Sequence, residues 1–354
     1  SVNRLIKLGW AALRGGLFYL PISRWGEGYF LFFASFQLLG KVNTYHVFFQ
    51  KTVRTSALAG LVTGSFVVVA PIAASATTTV TISDSIFEQK LIDLGYDTGA
   101  VNGTVLLANI NNVRTLDLSG LQISDFTGLS SFSELRTLSI ANNTTATSFS
   151  LTGMLMTTLD VSGATALATI DVSGNDLTSI KLTGLTNLTS LNASDNYLTS
   201  LDVTGLTSLT TLNVATNKLT TLDASPATAL QSFSVNDNRL TSLTVTGLTN
   251  LTSLNAFSNK LTSLDVSTAT ALGSVSASNN LLTTLKVAGL TSLTSLTASG
   301  NRLTALDLAG CTALAVLSVF NNSLATLTVD GLTKLTELSL YNNRLTSLTL
   351  TGLT

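Results

Sequence analysis

From Leu167 onward, apolar and polar residues recur in a fixed figure: leucine-type, two polar, leucine-type, polar, small aliphatic, two polar, asparagine. Leu188, Leu191, Ala193 and Asn196 fill it once, and Leu335, Leu338, Leu340 and Asn343 fill it again. Aligned on the asparagine, the figure returns at Asn175, Asn196, Asn217, Asn238, Asn259, Asn280, Asn301, Asn322 and Asn343, each 21 residues after the last. A strict period of this length is the mark of a stacked repeat array, which grows by adding coils rather than by enlarging one core. Around the second leucine the alternation has period two, so each unit contains a short strand with leucines inward and its other side chains outward.

The second half of each unit nearly copies the first without the asparagine, as in Leu198, Leu201, Val203 and Leu206. Both sides of a coil therefore offer inward apolar residues, and a second strand per coil is expected. Burying one leucine-sized side chain is worth roughly 1.5–3 kcal/mol. The asparagine is expected to sit where the backbone leaves the strand, its amide bonding exposed peptide groups there and in the next coil. Between Leu135 and Leu167 the spacing admits an extra half unit of about eleven residues, so the half unit is a candidate for the quantum of the fold.

Upstream the pattern changes. Residues 83–95, "SDSIFEQKLIDLG", predict one short amphipathic helix, with Ser85 and Glu88 as a capping box, Phe87, Leu91 and Leu94 on one face, and Gly95 as a stop. Its expected role is a lid over the open apolar end of the first coil. The stretch 51–76 has a basic start at Lys51 and Arg54, an apolar run, and Ala74-Ser75-Ala76, which reads as a secretory signal peptide cleaved after Ala76. Residues 1–50 hold both tryptophans and the only histidine, His46. They stay unassigned, as leader or upstream read-through. The division is thus 1–50, a signal peptide at 51–76, a cap at 77–112 and the array at 113–354.

Composition removes several function classes. Charged residues are 10% of the chain and the formal net charge is -1, so no basic field is present to gather nucleic acid. One cysteine, Cys311, and one histidine allow neither a disulfide framework nor a Cys/His zinc site. Cys311 falls in the register of Leu206, Leu248, Leu290 and Leu332 and reads as a small core residue. Asp93 and Asp97 lack the D-x-[DN]-x-[DN]-G run and read as turn residues, not calcium ligands. With no G-x-S-x-G motif, no base beside a nucleophile and no phosphate loop, no enzyme activity, cofactor or metal is expected.

The residues resemble secreted bacterial leucine-rich-repeat proteins of the internalin-like kind with 21-residue repeats, of the Bacteroidetes type. "ISDSIFEQKLIDLGYDTG", "NNVRTLDLSGLQISDFTGL" and the repeated "LTSLDV" are similar to the cap, first 22-residue repeat and array of such proteins. The resemblance covers about Thr79 to Thr354. It implies a predominantly β leucine-rich-repeat solenoid with short parallel strands, a small helical cap and a concave sheet as the binding face. The cysteine ladder common in relatives is replaced here by Ala193, Val214, Val235, Ala256, Ala277, Ala298 and Val319. Relatives also continue into a C-terminal sorting module, whereas this chain stops in mid-repeat and reads as truncated.

On the asparagine-side strands one outward file reads Asn192, Asn213, Ser234, Asn255, Ser276, Thr297, Ser318 and Ser339. Its neighbour reads Ser194, Ala215, Asn236, Phe257, Ser278, Ser299, Phe320 and Tyr341. The aromatics Phe257, Phe320 and Tyr341, with Tyr197 just past the ladder, are candidate contacts, because aromatics concentrate where partners are gripped. Lys218, Arg239, Lys260, Arg302 and Arg344 form a basic file along one edge. It either steers an acidic protein or glycan or keeps the edge solvated and unpaired. Opposite, Asp202, Asp223, Asp265 and Asp307 recur with Lys181 and Lys286, and a threonine file runs from Thr178 through Thr199 and Thr220 to Thr346. The expected function is a secreted or cell-surface adhesion module, monomeric and without a membrane span once cleaved, that binds an extracellular protein or glycan. A rigid spacer for a further domain, or ice or crystal-surface binding through the threonines, are the alternatives.

Overall fold

The computed structural model describes residues 78–349 and the backbone of three strands before them. The chain divides into two units, Ser1–Thr77 and Thr78–Thr354. In the first, Ile22–Trp25, Tyr29–Leu38 and Lys41–Gln50 form an antiparallel meander in chain order. The signal peptide expected over 51–76 and the final residues 350–354 lie outside the described residues.

The second unit opens with a cap. Thr79–Thr81 pairs antiparallel with Thr104–Leu106, and helix α1, Ser85–Asp93, lies between them in sequence. A second helix, α2, covers Leu107–Ile110, so the cap holds two helices and not the single one expected. The N-cap of α1 is Asp84, whose carboxylate accepts from the Ile86 and Phe87 amides at 2.9 and 3.2 Å. The capping box predicted for Ser85 and Glu88 is not formed. Glu88 is fully buried and turns to the loop behind the helix, accepting from the amides of Asn102 and Gly103 at 2.7 and 2.8 Å. A loop with two inward N–H groups needs an acceptor more than the helix start does, because Asp84 already serves that start. Phe87 and Leu91 are fully buried, and Phe87 stacks at 6.2 Å on Phe132 of the first coil. Leu94, expected on the same face, is 42% exposed, since the helix ends at Asp93 before it can turn inward. The lid seats closely at Gly128, whose φ of +95° only glycine adopts freely and where a Cβ would strike the Ile82 side chain and Thr81 carbonyl.

Beyond the cap, parallel three-residue strands stack coil on coil. One face is a ten-stranded parallel sheet running from Ser148–Ser150 to Glu337–Ser339 without a break. Partners along it are in register at a 21-residue offset, as in Leu191↔Leu212. The opposite face begins as a four-stranded sheet, Thr115–Asp117 to Ser179–Lys181, then continues only as isolated strand pairs. A second strand in every coil was expected; the segments at 200–202 and 305–307 form none. The hexapeptide LTSLDV at 198–203 is unpaired while the identical LTSLDV at 261–266 is paired, so neighbours and not local sequence decide. Where a lysine follows an aspartate by one coil, as Lys181 follows Asp160 and Lys286 follows Asp265, the strands pair and the side chains meet at 2.9 Å; where the aspartate follows the lysine, as Asp202 and Asp307 do, they do not.

Between the faces one continuous hydrophobic core runs from Ile82 to Leu332. Cys311 is fully buried within it, its thiol donating to the Val287 carbonyl at 3.3 Å, and burial pushes its pKa up. The irregular spacing after Leu135 has a structural counterpart. Thr137–Ser139 is followed by an asparagine, Asn143, yet it pairs with Thr115–Asp117 and Thr158–Asp160 on the interrupted face. The next strand, Ser148–Ser150, opens the long sheet, and from Asn175 onward the asparagines follow strands of that sheet. One extra half unit has moved the asparagine file half a turn around the solenoid.

Candidate functional site

The edge of the long sheet is built from two files acting together. The residue before each ladder asparagine is left-handed: Asp195, Thr216, Asp237, Ser258, Asn279, Asn321 and Asn342 have φ between 53° and 56°. This reversal aims the following asparagine into the core. Asn196 donates to the Val172, Ala193 and Ser194 carbonyls at 3.0, 3.2 and 2.9 Å and accepts from the Leu177 amide at 2.9 Å. Two of those partners, Val172 and Leu177, belong to the preceding coil, so the bonds reach backward along the stack and not to the next coil as expected. Asn217, Asn238, Asn259, Asn280, Asn301 and Asn322 repeat the same four contacts.

On the sheet itself the outward residues are less free than their alternation suggests. Asn192, Asn213 and Asn255 are half-buried and accept through Oδ1 from the amide two residues on, at 3.3, 3.2 and 3.2 Å. Ser194 and Ser299, counted as outward, are buried, the first donating its hydroxyl to Asn192 Oδ1 at 2.9 Å and the second sharing a hydrogen bond with the Ser318 hydroxyl at 3.0 Å. Among the aromatics, Phe320 and Tyr341 stack face to face across adjacent coils, with centroids 4.4 Å apart and planes at 10°. Phe257 stands three coils earlier and half-buried, so the three predicted aromatics are one pair and one separate ring.

The residue after each ladder asparagine projects outward. Tyr197 is 45% exposed, and the Lys218 ammonium lies 4.0 Å from its ring centroid, a cation–π contact. Arg239, Lys260, Arg302 and Arg344 are exposed. Among the described residues none of these five cations has a carboxylate within ion-pair distance, whereas Arg114, Arg136, Lys181 and Lys286 all do. Sequence reasoning named Tyr197 and Lys218 separately and missed their contact. The 21-residue offset between them was the available signal.

The interrupted face is chemically different. Lys181 and Lys286 each bond the aspartate one coil earlier, Asp160 and Asp265, at 2.9 Å. The Asp265 carboxyl lies below the usual carboxylate range through hydrogen bonds from Ser267 and Lys286. Burial pushes Asp160 up, but hydrogen bonds from Ser162 and Lys181 outweigh it and leave it lowered. Thr178, Thr241 and Thr283 donate their hydroxyls to carbonyls of the preceding coil at 3.2 Å. A hydroxyl committed in this way offers a surface ligand acceptor capacity alone. Among the described residues no three His, Cys, Asp or Glu side chains converge on a metal-sized site. None of the described helices is long and apolar enough to cross a membrane.

Residues 106–196 match the family model of the leucine-rich-repeat domain of endo-β-N-acetylglucosaminidase EndoS, and residues 186–227 match that of paired leucine-rich repeats. The fold is the leucine-rich-repeat solenoid. Its strands superpose on a chain of the LRIM1/APL1C complex with a TM-score of 0.51 at 24% identity, over 70% of this chain and 51% of that one. The functional domain of InlJ from Listeria monocytogenes, described as including a cysteine ladder, is 28% identical over 78% of this chain, with a TM-score of 0.48. This solenoid spans 64% of that InlJ chain. The protein LIC12759 of Leptospira interrogans is 23% identical, covering 70% of this chain and 74% of its own, with a TM-score of 0.48. No curated protein matches.

Proposed function

We propose that the protein is an exported interaction module that holds an extracellular protein or glycan against the long sheet and its asparagine-side edge. The leucine-rich-repeat fold supports protein interaction in general; export, adhesion and the kind of partner are our reading. The observation that carries it is the asymmetry between the two faces. The long sheet continues through ten strands with a rigid, hydrogen-bonded edge, while the other face is broken and its lysines are already paired. A continuous pre-organised surface binds at lower entropic cost than a broken one.

The test is cross-linking of the 354-residue chain to surface-displayed proteins and to arrayed glycans, followed by mapping. Contacts should concentrate on the files of Asn213, Asn255, Phe257 and Tyr341. Paired substitutions at Phe257 and Tyr341 should weaken capture at least tenfold, while Lys181→Ala and Lys286→Ala leave it unchanged. Cross-links mapping to the interrupted face would refute the assignment. Outward files that tolerate every substitution would mark the solenoid as a spacer.

A further inference from the structure

We propose that the array bends at residues 199–206, where one side of a coil is untied from both neighbours, and that this joint sets the curvature of the long sheet. The breaks of the interrupted face are not equivalent. At 305–307 the flanking residues still tie the coil down. The Gly289 amide donates to the Ala309 carbonyl at 2.8 Å, the Ala325 amide to the Thr304 carbonyl at 3.4 Å, and the Cys311 thiol to the Val287 carbonyl at 3.3 Å. The missing ladder between Ser242–Thr244 and Ser263–Asp265 is bridged as well, by the Gly247 amide on the Thr268 hydroxyl at 3.2 Å. Among the described residues, 199–206 makes no hydrogen bond to either neighbouring coil. Its polar contacts stay within the segment, as where Asp202 accepts from the Thr204 amide at 2.9 Å.

The core is open at the same place. Of the inward residues along this face from Leu116 to Leu327, Ile180 and Leu201 alone are half-buried, and they hold the same position in adjacent coils. Lys181, beside the gap, is turned back to Asp160 at 2.9 Å and does not reach across it. On the opposite side the same coil is clamped. Its strand Ser190–Asn192 pairs in register with both Thr169–Asp171 and Thr211–Asn213. At the edge the Leu177 amide donates to Asn196 and the Leu198 amide to Asn217, each at 2.9 Å, and the Lys218 ammonium lies 4.0 Å from the Tyr197 ring centroid.

A stack tied on one side and untied on the other turns about the tied side. Ladder hydrogen bonds keep the coil spacing of the long sheet near 4.8 Å, so the coils rotate about that sheet and do not separate. Opening the gap curls the long sheet more tightly, and closing it, with Ile180 brought against Leu201, flattens it. Buried Val203 and Leu206 hold the coil in the stack and limit the swing. Few ties and a partly open core are the marks of a segment that opens below the global unfolding transition, and a hinge needs only a few residues to absorb the change. Asn192 and Asn213, outward on the two sides of the joint, tilt toward or away from each other as it moves.

The experiment uses the 354-residue chain with spin labels on pairs of positions substituted by cysteine, read as electron–electron distance distributions; Cys311 is fully buried and stays in place. Ser179→Cys with Thr284→Cys spans the joint. Thr221→Cys with Thr326→Cys spans an equal number of coils beyond it, the break at 305–307 included. Each pair lies about 24 Å apart at sheet spacing. The first distribution should be about twice as broad as the second, and Ser190→Cys with Ser295→Cys, across the same coils on the long sheet, should be as narrow as the second. Adding Asp223→Lys, which sets a lysine one coil after Asp202, should narrow the first, and 1 M salt should broaden it again. Hydrogen exchange supplies an internal comparison, because LTSLDV at 198–203 and 261–266 is one sequence twice. The Val266 amide donates to the Lys286 carbonyl at 3.1 Å, so the Val203 amide should exchange about tenfold faster or more. Equal widths for the first two pairs, a broad pair on the long sheet, no narrowing by Asp223→Lys, or equal protection of Val203 and Val266 would each overturn the joint. No partner enters these measurements, so their failure leaves the interaction reading standing, and failure of that reading leaves the joint standing.

Discussion

Asn217→Ala tests the load each ladder asparagine bears. Asn217 is buried and donates to the Ala193 carbonyl at 2.9 Å and to the Val214 and Ala215 carbonyls at 3.2 Å, while accepting from the Leu198 amide at 2.9 Å. Alanine removes both halves of the amide. The buried Leu198 N–H then loses its side-chain acceptor, while the Ala193 C=O keeps the Asn196 amide at 3.2 Å. One buried donor left unsatisfied costs about 1–3 kcal/mol, which is the expected loss. Asn217→Asp should be at least as harmful, because it keeps the acceptor for Leu198 but turns a carboxylate oxygen toward carbonyls. Asn213→Ala, on the outward side of the same coil, should cost less than about 0.5 kcal/mol. Urea unfolding gives the totals, and hydrogen exchange at the Leu198 amide gives the local effect even where the array unfolds in stages. An Asn217→Ala protein within about 0.5 kcal/mol of wild type, with Leu198 exchange unchanged, would refute the reasoning.

Thr216 holds φ at 53°, a strained conformation for a β-branched residue, and its side chain is exposed. Thr216→Asn, the residue found at this position in three other coils, should stabilise by about 0.5–1 kcal/mol of the roughly 1–2 that left-handed geometry costs, read by urea midpoint. Asp223→Lys would place a lysine one coil after Asp202, the arrangement Lys181 and Lys286 make with Asp160 and Asp265 at 2.9 Å, and should raise stability by about 0.2–1 kcal/mol, an effect that should fade in 1 M salt. For Asp84, burial pushes the carboxyl up, but hydrogen bonds from Ser124, Phe87 and Ile86 outweigh it and leave it lowered. With the folded value below the unfolded one, near 3.9, this stabilisation is fully present above that value and is lost as pH falls through the folded one. Acid unfolding should therefore steepen below about pH 4, and Asp84→Asn should flatten that dependence.

The core was legible because one period wrote it many times over. Leu191, Leu212 and Leu254 can point only inward once the two-residue alternation is seen, and each is buried. Cys311 could be placed by register alone. The turn was harder, because its left-handed column carries Asp, Thr, Ser, Asn and Gly in turn, and only its asparagines and glycines hint at positive φ. Glu88 was misplaced for a different reason. Its true partners lie at Asn102 and Gly103, and a local capping rule has no access to a loop that closes only when the cap folds. The breaks at 200–202 and 305–307 were hidden altogether, since identical hexapeptides pair in one place and not in another.

The half-turn shift after Leu135 bears on where a partner can sit. Thr137–Ser139 carries the asparagine signature yet stacks with strands that lack it, so both sides of a coil accept either half unit as a packing element. The motif alone therefore does not fix which face a side chain joins; register with neighbouring coils does. For the edge file this means that Tyr197 and the cations after it could line up only beyond the shift, where ladder and long sheet coincide. Restoring the earlier phase, by deleting one half unit within residues 146–166, would preserve much of the inward pattern while moving Asn143 onto the face of the ladder. The asparagine signature would then run along one side from Asn143 onward, and the four-stranded and ten-stranded sheets would join or part according to which half unit was removed.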